Sequence, residues 1–157
     1  MNIVFVCTSN TCRSPISELF AVEWFHRRLK LSRPEQEAKG IVVRSGALTD
    51  VFDKQGSPAS EHAVAVMRKY EIDLSAHRSK LLTAEMVAQA DYVVCVASGI
   101  AHKLAEQFPQ VRERPGVLCA FSRDMPDPWH MEYDTYMENV ALNEELTREF
   151  LDNTVTF

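Results

Sequence analysis

The chain has 157 residues, of which 46% are hydrophobic and 25% are charged, and its formal net charge is −5. This composition is ordinary for a soluble protein, and the length fits one domain over residues 1–157 with a substantial core. The acidic balance, with no basic stripe, argues against a general binder of nucleic acid or of anionic membranes, and no apolar run approaches the ~20 residues of a membrane-spanning helix.

Apolar stretches and helical patterns alternate along the chain. The predicted strands cover residues 3–6, 41–45, 91–97 and 116–120. The predicted helices cover residues 15–30, 57–70, 98–108 and 133–151, with a shorter one after Thr83, and segments 32–40, 46–56 and 123–130 are predicted loops. Strands that alternate with helices indicate a parallel sheet with right-handed crossovers. We therefore predict a three-layer α/β fold with about four parallel strands and helices on both faces of the sheet.

The first loop joins the first strand to the first helix and carries the residues best suited to chemistry. Cys7 follows the predicted strand, and Arg13 precedes Ser14-Pro15, a pair that suits a helix start because Ser caps free amides and Pro fits the first turn. Backbone amides and the positive end of the helix would converge on a bound anion, and the same field stabilises a thiolate. Arg13 can hold two oxygens of a phosphoryl group at once. This spacing predicts a phosphate-binding loop with a nucleophile, Cys7, beneath it.

The run Cys-Thr-Ser-Asn-Thr-Cys-Arg-Ser-Pro over residues 7–15 resembles the low-molecular-weight protein tyrosine phosphatase family. The family pattern is close to Cys-x-Gly-Asn-x-Cys-Arg-Ser-Pro, and this chain departs from it at Ser9. The resemblance implies a metal-independent protein phosphatase that forms a phosphocysteine intermediate and uses no cofactor. It implies a phosphorylated protein or peptide as substrate and inorganic phosphate as product. The phosphate-binding loop around Arg13 would comprise Thr8, Ser9, Asn10, Thr11, Cys12 and Ser14.

A second motif, Asp127-Pro128-Trp129, lies in the predicted loop after the last strand. Phosphoryl transfer to Cys7 expels an alkoxide or phenoxide, so an acid must protonate it, and the same carboxylate can then activate water. The motif resembles the late Asp-Pro-aromatic motif of the family, which implies that Asp127 is the general acid. Asp124 is a rival carboxylate that lacks a following proline. Trp129 would form one wall of the substrate pocket.

Other residues would support this loop or complete the pocket. Asn10 suits a turn with positive φ, because Asn tolerates that backbone conformation. The resemblance implies that the Ser14 hydroxyl contacts Cys7 and that His77 braces Asn10 and Ser14 from behind. Phe52 would form the opposite wall of the pocket.

The four cysteines are too sparse for a disulfide-stabilised secreted scaffold, and none has the spacing of a zinc site. Cys12 either forms a reversible disulfide with Cys7 or fills the underside of the loop. Cys95 and Cys119 fall in predicted strands, so we expect them in the core. The chain starts on an apolar strand without a basic leader, and the expected location is the reducing cytoplasm.

The substrate class stays open in the sequence. Thr11 occupies a loop position at which most tyrosine-directed relatives carry an aliphatic residue, and in this respect the chain resembles a branch of the family that acts on phosphoarginine. His130-Met131 differs from the glycines that follow the Asp-Pro-aromatic motif in that branch. Phosphotyrosine therefore stands first and phosphoarginine second.

Two further interpretations are weaker. A thioredoxin-coupled arsenate reductase would need two relay cysteines close together, whereas Cys95 and Cys119 lie apart in different predicted strands. A non-enzymatic phosphate-sensing or redox-switch module would need no acid, whereas Asp127 is present. The oligomeric state is left open.

Overall fold

The structure is a computed structural model that describes residues 1–157. Its strands are β1 (Asn2–Cys7), β2 (Val42–Ala47), β3 (Tyr92–Cys95) and β4 (Leu118–Ala120). Its helices are α1 (Arg13–Leu29), α2 (Arg33–Ala38), α3 (Glu61–Lys69), α4 (Ala84–Gln89), α5 (Ser98–Gln107) and α6 (Tyr133–Thr154), and a 3-10 turn covers Pro109–Glu113. None of these helices has both the length and the apolar character that a membrane crossing requires.

The four strands form one parallel sheet in the order β2-β1-β3-β4. Helix α1 packs on β1, β2 and α6, whereas α4 packs on β1 and α5 packs on β3 and β4. The predicted parallel α/β fold is therefore confirmed. The chain runs from β1 to β2 on one side and returns to β3 on the other, and ligands of such sheets bind at the carboxyl ends of the strands where the order reverses. Cys7, the last residue of β1, lies at this point.

Two apolar clusters fix the helices that surround this point. In the larger cluster, around the sheet, the ring of Phe5 lies 6.3 Å from the rings of both Phe121 and Phe150. The smaller cluster joins α1, α3 and α6 and includes Ile16 and Met67, both fully buried. Because burying a side chain of this size contributes about 1.5–3 kcal/mol, the two clusters hold the start of α1 firmly against the sheet and against α6.

The segment 32–40, predicted as a loop, contains helix α2, so that prediction was wrong. Ser32 and Glu35 form a capping box, in which the Ser32 backbone N–H donates to the Glu35 carboxylate at 2.7 Å, and Pro34 lies in the first turn. This combination satisfies amides that a short polar helix would otherwise leave free. The segment was predicted as a loop because it is polar, although its capping box and proline indicate the start of a helix.

Helix α3 begins later than predicted. Ser57-Pro58 was expected to open it, but the helix starts at Glu61, and Ser60 caps it by accepting from the backbone N–H of Ala63 at 3.3 Å. Pro58 instead lies in an antiparallel bridge opposite Arg78. Ser57 and Ser60 are both residues that can cap a helix. The bridge between Pro58 and Arg78 keeps the first of them outside α3.

Candidate active site

The loop between β1 and α1 is shaped around Asn10. This residue is fully buried and has a φ of 59°, a left-handed conformation that Asn tolerates better than most residues. Its amide nitrogen donates to the hydroxyls of Ser14 (2.8 Å) and Ser45 (2.9 Å), and its amide oxygen accepts from the backbone N–H of Lys80 (3.1 Å). The Asn10 side chain thus ties the loop to α1, to β2 and to the segment before α4.

The thiol of Cys7 lies beneath this loop, and the residue is 3% exposed. Its Sγ is 2.9 Å from the Ser14 hydroxyl oxygen and 3.2 Å from the backbone nitrogen of Asn10, which donates to it. Because the Ser14 oxygen already accepts from the Asn10 amide, its own proton is free to point at the sulfur. Two donors therefore face Cys7, and this arrangement suits a thiolate, which can only accept.

Ser14 does not cap α1, contrary to the sequence-based expectation. The helix begins at Arg13, Cys12 occupies the N-cap position, and the Cys12 side chain makes no capping hydrogen bond. The Ser14 hydroxyl is used at the sulfur of Cys7 instead. As a result, the amides at the start of α1 are not occupied by a capping side chain and remain available to an anion in the loop.

Arg13 extends from the start of α1 to the loop that follows β4. The residue is 6% exposed, and its Nη1 donates to the backbone carbonyl of Met125 at 3.0 Å. Its Nη2 lies 3.5 Å from Oδ2 of Asp127. The Asp127 carboxylate is half-exposed and also accepts from the backbone N–H of Trp129 at 3.1 Å. The structure thus brings the predicted phosphate-binding arginine and the predicted acid into contact.

Asp124 serves a different purpose from Asp127. Its carboxylate accepts from the backbone N–H of Ser98 at 2.8 Å and from the Ser98 hydroxyl at 3.0 Å, at the start of α5. These hydrogen bonds lower the pKa of Asp124. Asp124 therefore fastens the loop after β4 to the start of α5 and does not line the cavity that contains Cys7.

A cavity of about 90 Å³ opens above the loop between β1 and α1. The rings of Phe52 and Trp129 line it in edge-to-face contact with each other, with centroids 5.7 Å apart and planes inclined by 65°. The ring of His130 lies 3.9 Å from that of Trp129 but outside the cavity. The lining residues are Cys7, Thr8, Ser9, Thr11, Cys12, Arg13, Phe52, Asp127 and Trp129. The predicted nucleophile, arginine, acid and aromatic residues therefore line one cavity.

His77 supports the loop from behind. Its Nε2 lies 2.7 Å from the backbone carbonyl of Asn10, and because a carbonyl only accepts, this nitrogen carries a proton. Burial lowers the pKa of His77 below its usual 6.5, and the charges of Lys80 and Arg78 lower it further, although the hydrogen bond to Asn10 opposes them. Of the two residues that it was expected to brace, His77 is hydrogen-bonded to Asn10 and not to Ser14.

The remaining cysteines lie in distinct environments. The Cys12 thiol is buried and lies 3.3 Å from the hydroxyl of Tyr136 on α6, and burial raises its pKa. Burial raises the pKa of Cys95 to about 12, whereas Cys119 is only half-buried on the edge strand. All four cysteines are free, and no group of three or more His, Cys, Asp or Glu side chains is arranged to hold a metal ion.

One residue of the pocket mouth was missed by the sequence analysis. The Thr11 hydroxyl donates to Oδ2 of Asp53 at 2.8 Å, which places a half-buried carboxylate beside the cavity. Asp53 follows the predicted wall residue Phe52 directly, and that adjacency is the only local signal for it. The contact joins two segments far apart in the chain, so no sequence motif predicts it.

A polar chain behind the loop was also missed. Ser45, which accepts from Asn10, donates in turn to the Glu18 carboxylate, and Glu18 pairs with Arg33 on α2. Glu18 is 6% exposed. The misassigned segment 32–40 thus contributes a cation to the polar contacts behind the loop between β1 and α1, and this contribution could not be predicted without recognising α2.

Comparisons with known proteins agree with this geometry. A sequence model of the family described as low molecular weight phosphotyrosine protein phosphatase matches residues 2–156. The chain belongs to this family. Its members are hydrolases. The resemblance predicted from residues 7–15 is confirmed, and it extends over nearly the whole chain.

Relatives of both substrate classes are similar to the chain. A protein-arginine-phosphatase of Bacillus subtilis is 33% identical over 153 residues, which cover 95% of this chain and 93% of the relative. A low molecular weight protein-tyrosine-phosphatase of Escherichia coli, Etp, is 26% identical and covers 95% and 91%. A solved structure of the YwlE arginine phosphatase, in a mutant with a phosphorylated active-site serine, has a TM-score of 0.80 at 29% identity and covers 98% and 95%.

Proposed function

We propose that this phosphatase uses Cys7 as nucleophile, Arg13 as phosphate-binding residue and Asp127 as general acid and base, without a metal ion, within one domain over residues 1–157. The observation that carries the proposal is their convergence on one cavity, with Arg13 in contact with Asp127 and Cys7 below. The cationic role that a metal would play falls to the buried guanidinium and to the positive end of α1.

In the first step, the Cys7 thiolate attacks the phosphorus atom, a sulfur–phosphorus bond forms, and the bond to the leaving group breaks. Asp127 donates its proton to the departing atom, which avoids expulsion of an alkoxide, phenoxide or neutral base as a poor leaving group. Arg13 holds two phosphoryl oxygens as charge develops on them. The Ser14 hydroxyl and the Asn10 amide hold the sulfur in place before the attack.

In the second step, the Asp127 carboxylate accepts a proton from a water molecule, and the resulting hydroxide oxygen attacks the phosphorus. The sulfur–phosphorus bond breaks, inorganic phosphate leaves, and Cys7 returns as a thiolate. Asp127 ends this step protonated and ready for the next substrate. The structure of the arginine phosphatase with a phosphorylated active-site serine supports a covalent phosphoenzyme of this kind.

The contact between Arg13 and Asp127 connects binding to proton transfer. A phosphoryl group that enters the loop competes with the Asp127 carboxylate for the same guanidinium. Because Asp127 is half-exposed, its side chain can turn from Arg13 toward the leaving group without breaking a buried contact.

Phosphotyrosine is the first candidate substrate. Phe52 and Trp129 are in edge-to-face contact with each other and both line the cavity, so a phenol ring in the cavity would lie against an aromatic surface. Such pairs add about 0.5–1.5 kcal/mol beyond the area they bury. The phosphate of the side chain would then reach Cys7 at the floor of the cavity.

Phosphoarginine is the second candidate, and a specific observation favours it. The carboxylate of Asp53, which accepts a hydrogen bond from the Thr11 hydroxyl at the pocket mouth, could pair with a guanidinium. The rings of Phe52 and Trp129 could stack on the same planar cation. The Bacillus subtilis relative at 33% identity is a protein-arginine-phosphatase.

The test measures kcat/KM for two peptides of one sequence that carry phosphotyrosine or phosphoarginine at the same position. Hydrolysis of either, abolished in Cys7→Ser and in Arg13→Ala, supports the mechanism, and the ratio of the two rates assigns the substrate class. Undiminished hydrolysis in either variant would remove the residue concerned from its proposed role. A circular-dichroism melt of each variant checks that the loss does not come from unfolding.

A further inference from the structure

The two residues before Asp127 are held by their carbonyl groups from two different helices. Arg13 of α1 donates to the carbonyl of Met125 at 3.0 Å. The side-chain amide of Asn139 on α6 donates to the carbonyl of Pro126 at 2.6 Å. Asp127 follows directly in the chain, so its backbone position depends on both hydrogen bonds.

Asn139 is 5% exposed, and its amide oxygen is buried without a hydrogen-bond partner. A buried acceptor without a partner lowers stability, and an apolar side chain of similar size would not carry this cost. The reverse orientation of the amide is excluded, because it would place two acceptors, the amide oxygen and the Pro126 carbonyl, against each other. Stability alone therefore does not explain Asn at this position, whereas the hydrogen bond to the loop does.

The same face of α6 also holds the backbone of Arg13. Asn143, one turn after Asn139, donates to the carbonyl of Arg13 at 2.9 Å and is itself fixed by the hydroxyls of Ser17 (2.8 Å) and Thr147 (3.0 Å). Residues four apart on a helix lie side by side. One buried polar stripe of α6 thus touches both the phosphate-binding arginine and the acid loop.

We propose that Asn139 is a positioning residue for Asp127. This proposal rests on the role proposed above for Asp127. Asn139 acts through the Pro126 backbone. When a phosphoryl group takes the guanidinium of Arg13, the Asp127 carboxyl loses its ion-pair partner, and the hydrogen bond from Asn139 to Pro126 remains as a tie on the backbone next to the acid. Asn139 keeps the proton donor within reach of the leaving-group atom at the moment when that atom departs.

The variant that tests the proposal is Asn139→Leu, which removes the amide at similar volume. The measurement is kcat/KM across a series of phosphate esters, from p-nitrophenyl phosphate to esters of weakly acidic alcohols. We expect a loss of about tenfold for the poor leaving groups and of less than about threefold for p-nitrophenyl phosphate, since the full contribution of a general acid is ~10²–10⁴. Because Pro126 is exposed, its carbonyl can turn to water, and the melting temperature should change little or rise.

A matched control is Gln36→Leu. Gln36 is also a buried amide, 1% exposed, and it donates to the backbone carbonyls of Val22 and Leu31, both at 3.1 Å and away from the cavity. Its removal should lower the melting temperature and leave the dependence on the leaving group as in the wild type. A leaving-group effect of equal size in Gln36→Leu would show that loosening of the fold, and not the position of Asp127, is responsible, and would overturn the proposal.

The double variant Asn139→Leu with Asp127→Asn separates the proposal from its premise. If Asn139 acts through Asp127, its substitution should have no further effect once the carboxyl is gone. Full additivity of the two losses would overturn the positioning role and leave Asp127 as the acid. If Asp127→Asn alone lowers kcat/KM no more for poor leaving groups than for p-nitrophenyl phosphate, Asp127 is not the acid. The proposal for Asn139 then fails with that assignment.

Discussion

The guanidinium Nη2 of Arg13 lies 3.5 Å from Oδ2 of Asp127, although Arg13 begins α1 and Asp127 lies in the loop after β4. The arginine side chain is 7% exposed and the aspartate side chain 49% exposed, so one end of the contact is buried and the other is open to solvent. Because this pair is partly in water, its own contribution to stability is small. In the proposed mechanism its importance is functional, since substrate phosphate and Asp127 would compete for the Arg13 guanidinium above Cys7.

Substitution of Asp127 should separate good leaving groups from poor ones. Asp127→Asn removes the donated proton, so kcat/KM should fall by ~10²–10⁴ for alkyl phosphates and much less for p-nitrophenyl phosphate, which departs without protonation. Asp124→Asn is the matched control, because Asp124 binds only the start of α5. It should lower the melting temperature and leave the leaving-group dependence unchanged; the reverse pattern would assign the acid to Asp124.

Arg13→Lys should be severely impaired although it keeps the charge. A lysine ammonium cannot hold two phosphoryl oxygens in the plane of a guanidinium, and it cannot at the same time donate to the Met125 carbonyl. Loss of one donor to a developing charge costs about 10²–10³ in rate. Steady-state kinetics on p-nitrophenyl phosphate measure this loss, and a variant within a few-fold of wild type would show that charge alone suffices.

The carboxylate at the pocket mouth should discriminate between substrate classes. Asp53→Asn removes the charge that faces a guanidinium, so kcat/KM for a phosphoarginine peptide should fall about tenfold or more, as expected for a lost charge-assisted hydrogen bond. The rate on the matching phosphotyrosine peptide should change much less. Asp50→Asn provides the control, because Asp50 is exposed, whereas Asp53 accepts a hydrogen bond from the Thr11 hydroxyl that lines the cavity. Equal losses on both peptides in Asp53→Asn would mean that Asp53 supports the loop and does not select substrate.

The stability of the protein should depend on pH through His77. The pKa of His77 in the folded protein is lowered below 6.5, so the unfolded chain binds its proton more readily than the folded one. Stability from neutral His77 is therefore complete above about pH 6.5 and is lost as the pH falls toward the lowered pKa. Denaturant melts between these values should show a slope with pH that flattens in His77→Asn and persists in His102→Asn, an exposed control.

Local patterns in the sequence predicted the parts of this site that a single segment builds. The Cys7–Arg13 loop, the positive φ of Asn10 and the alternation of strands and helices all follow from neighbouring residues. The motif at residues 127–129 indicated the loop that reaches Arg13, but only by resemblance to a family.

Contacts between distant segments could not be predicted in the same way. Asp53 reaches Thr11 and Asn139 reaches Pro126 because the packing of the sheet and of α6 brings their segments together, and no spacing in the chain encodes either contact. The predicted capping role of Ser14 was wrong for a related reason. Its capping preference is real, but the sulfur of Cys7 uses the hydroxyl first.

In the proposed mechanism the phosphoryl group passes through Cys7, and trapping that intermediate is the most direct test. The enzyme is mixed with excess p-nitrophenyl phosphate, denatured during turnover and digested, and the peptide that contains Cys7 and Cys12 is fragmented in a mass spectrometer. We expect one phosphoryl group on the sulfur of Cys7, none on Cys12, and neither modification nor turnover in Cys7→Ala. Turnover by wild-type protein with no phosphoryl group on Cys7, or turnover by Cys7→Ala, would contradict the account.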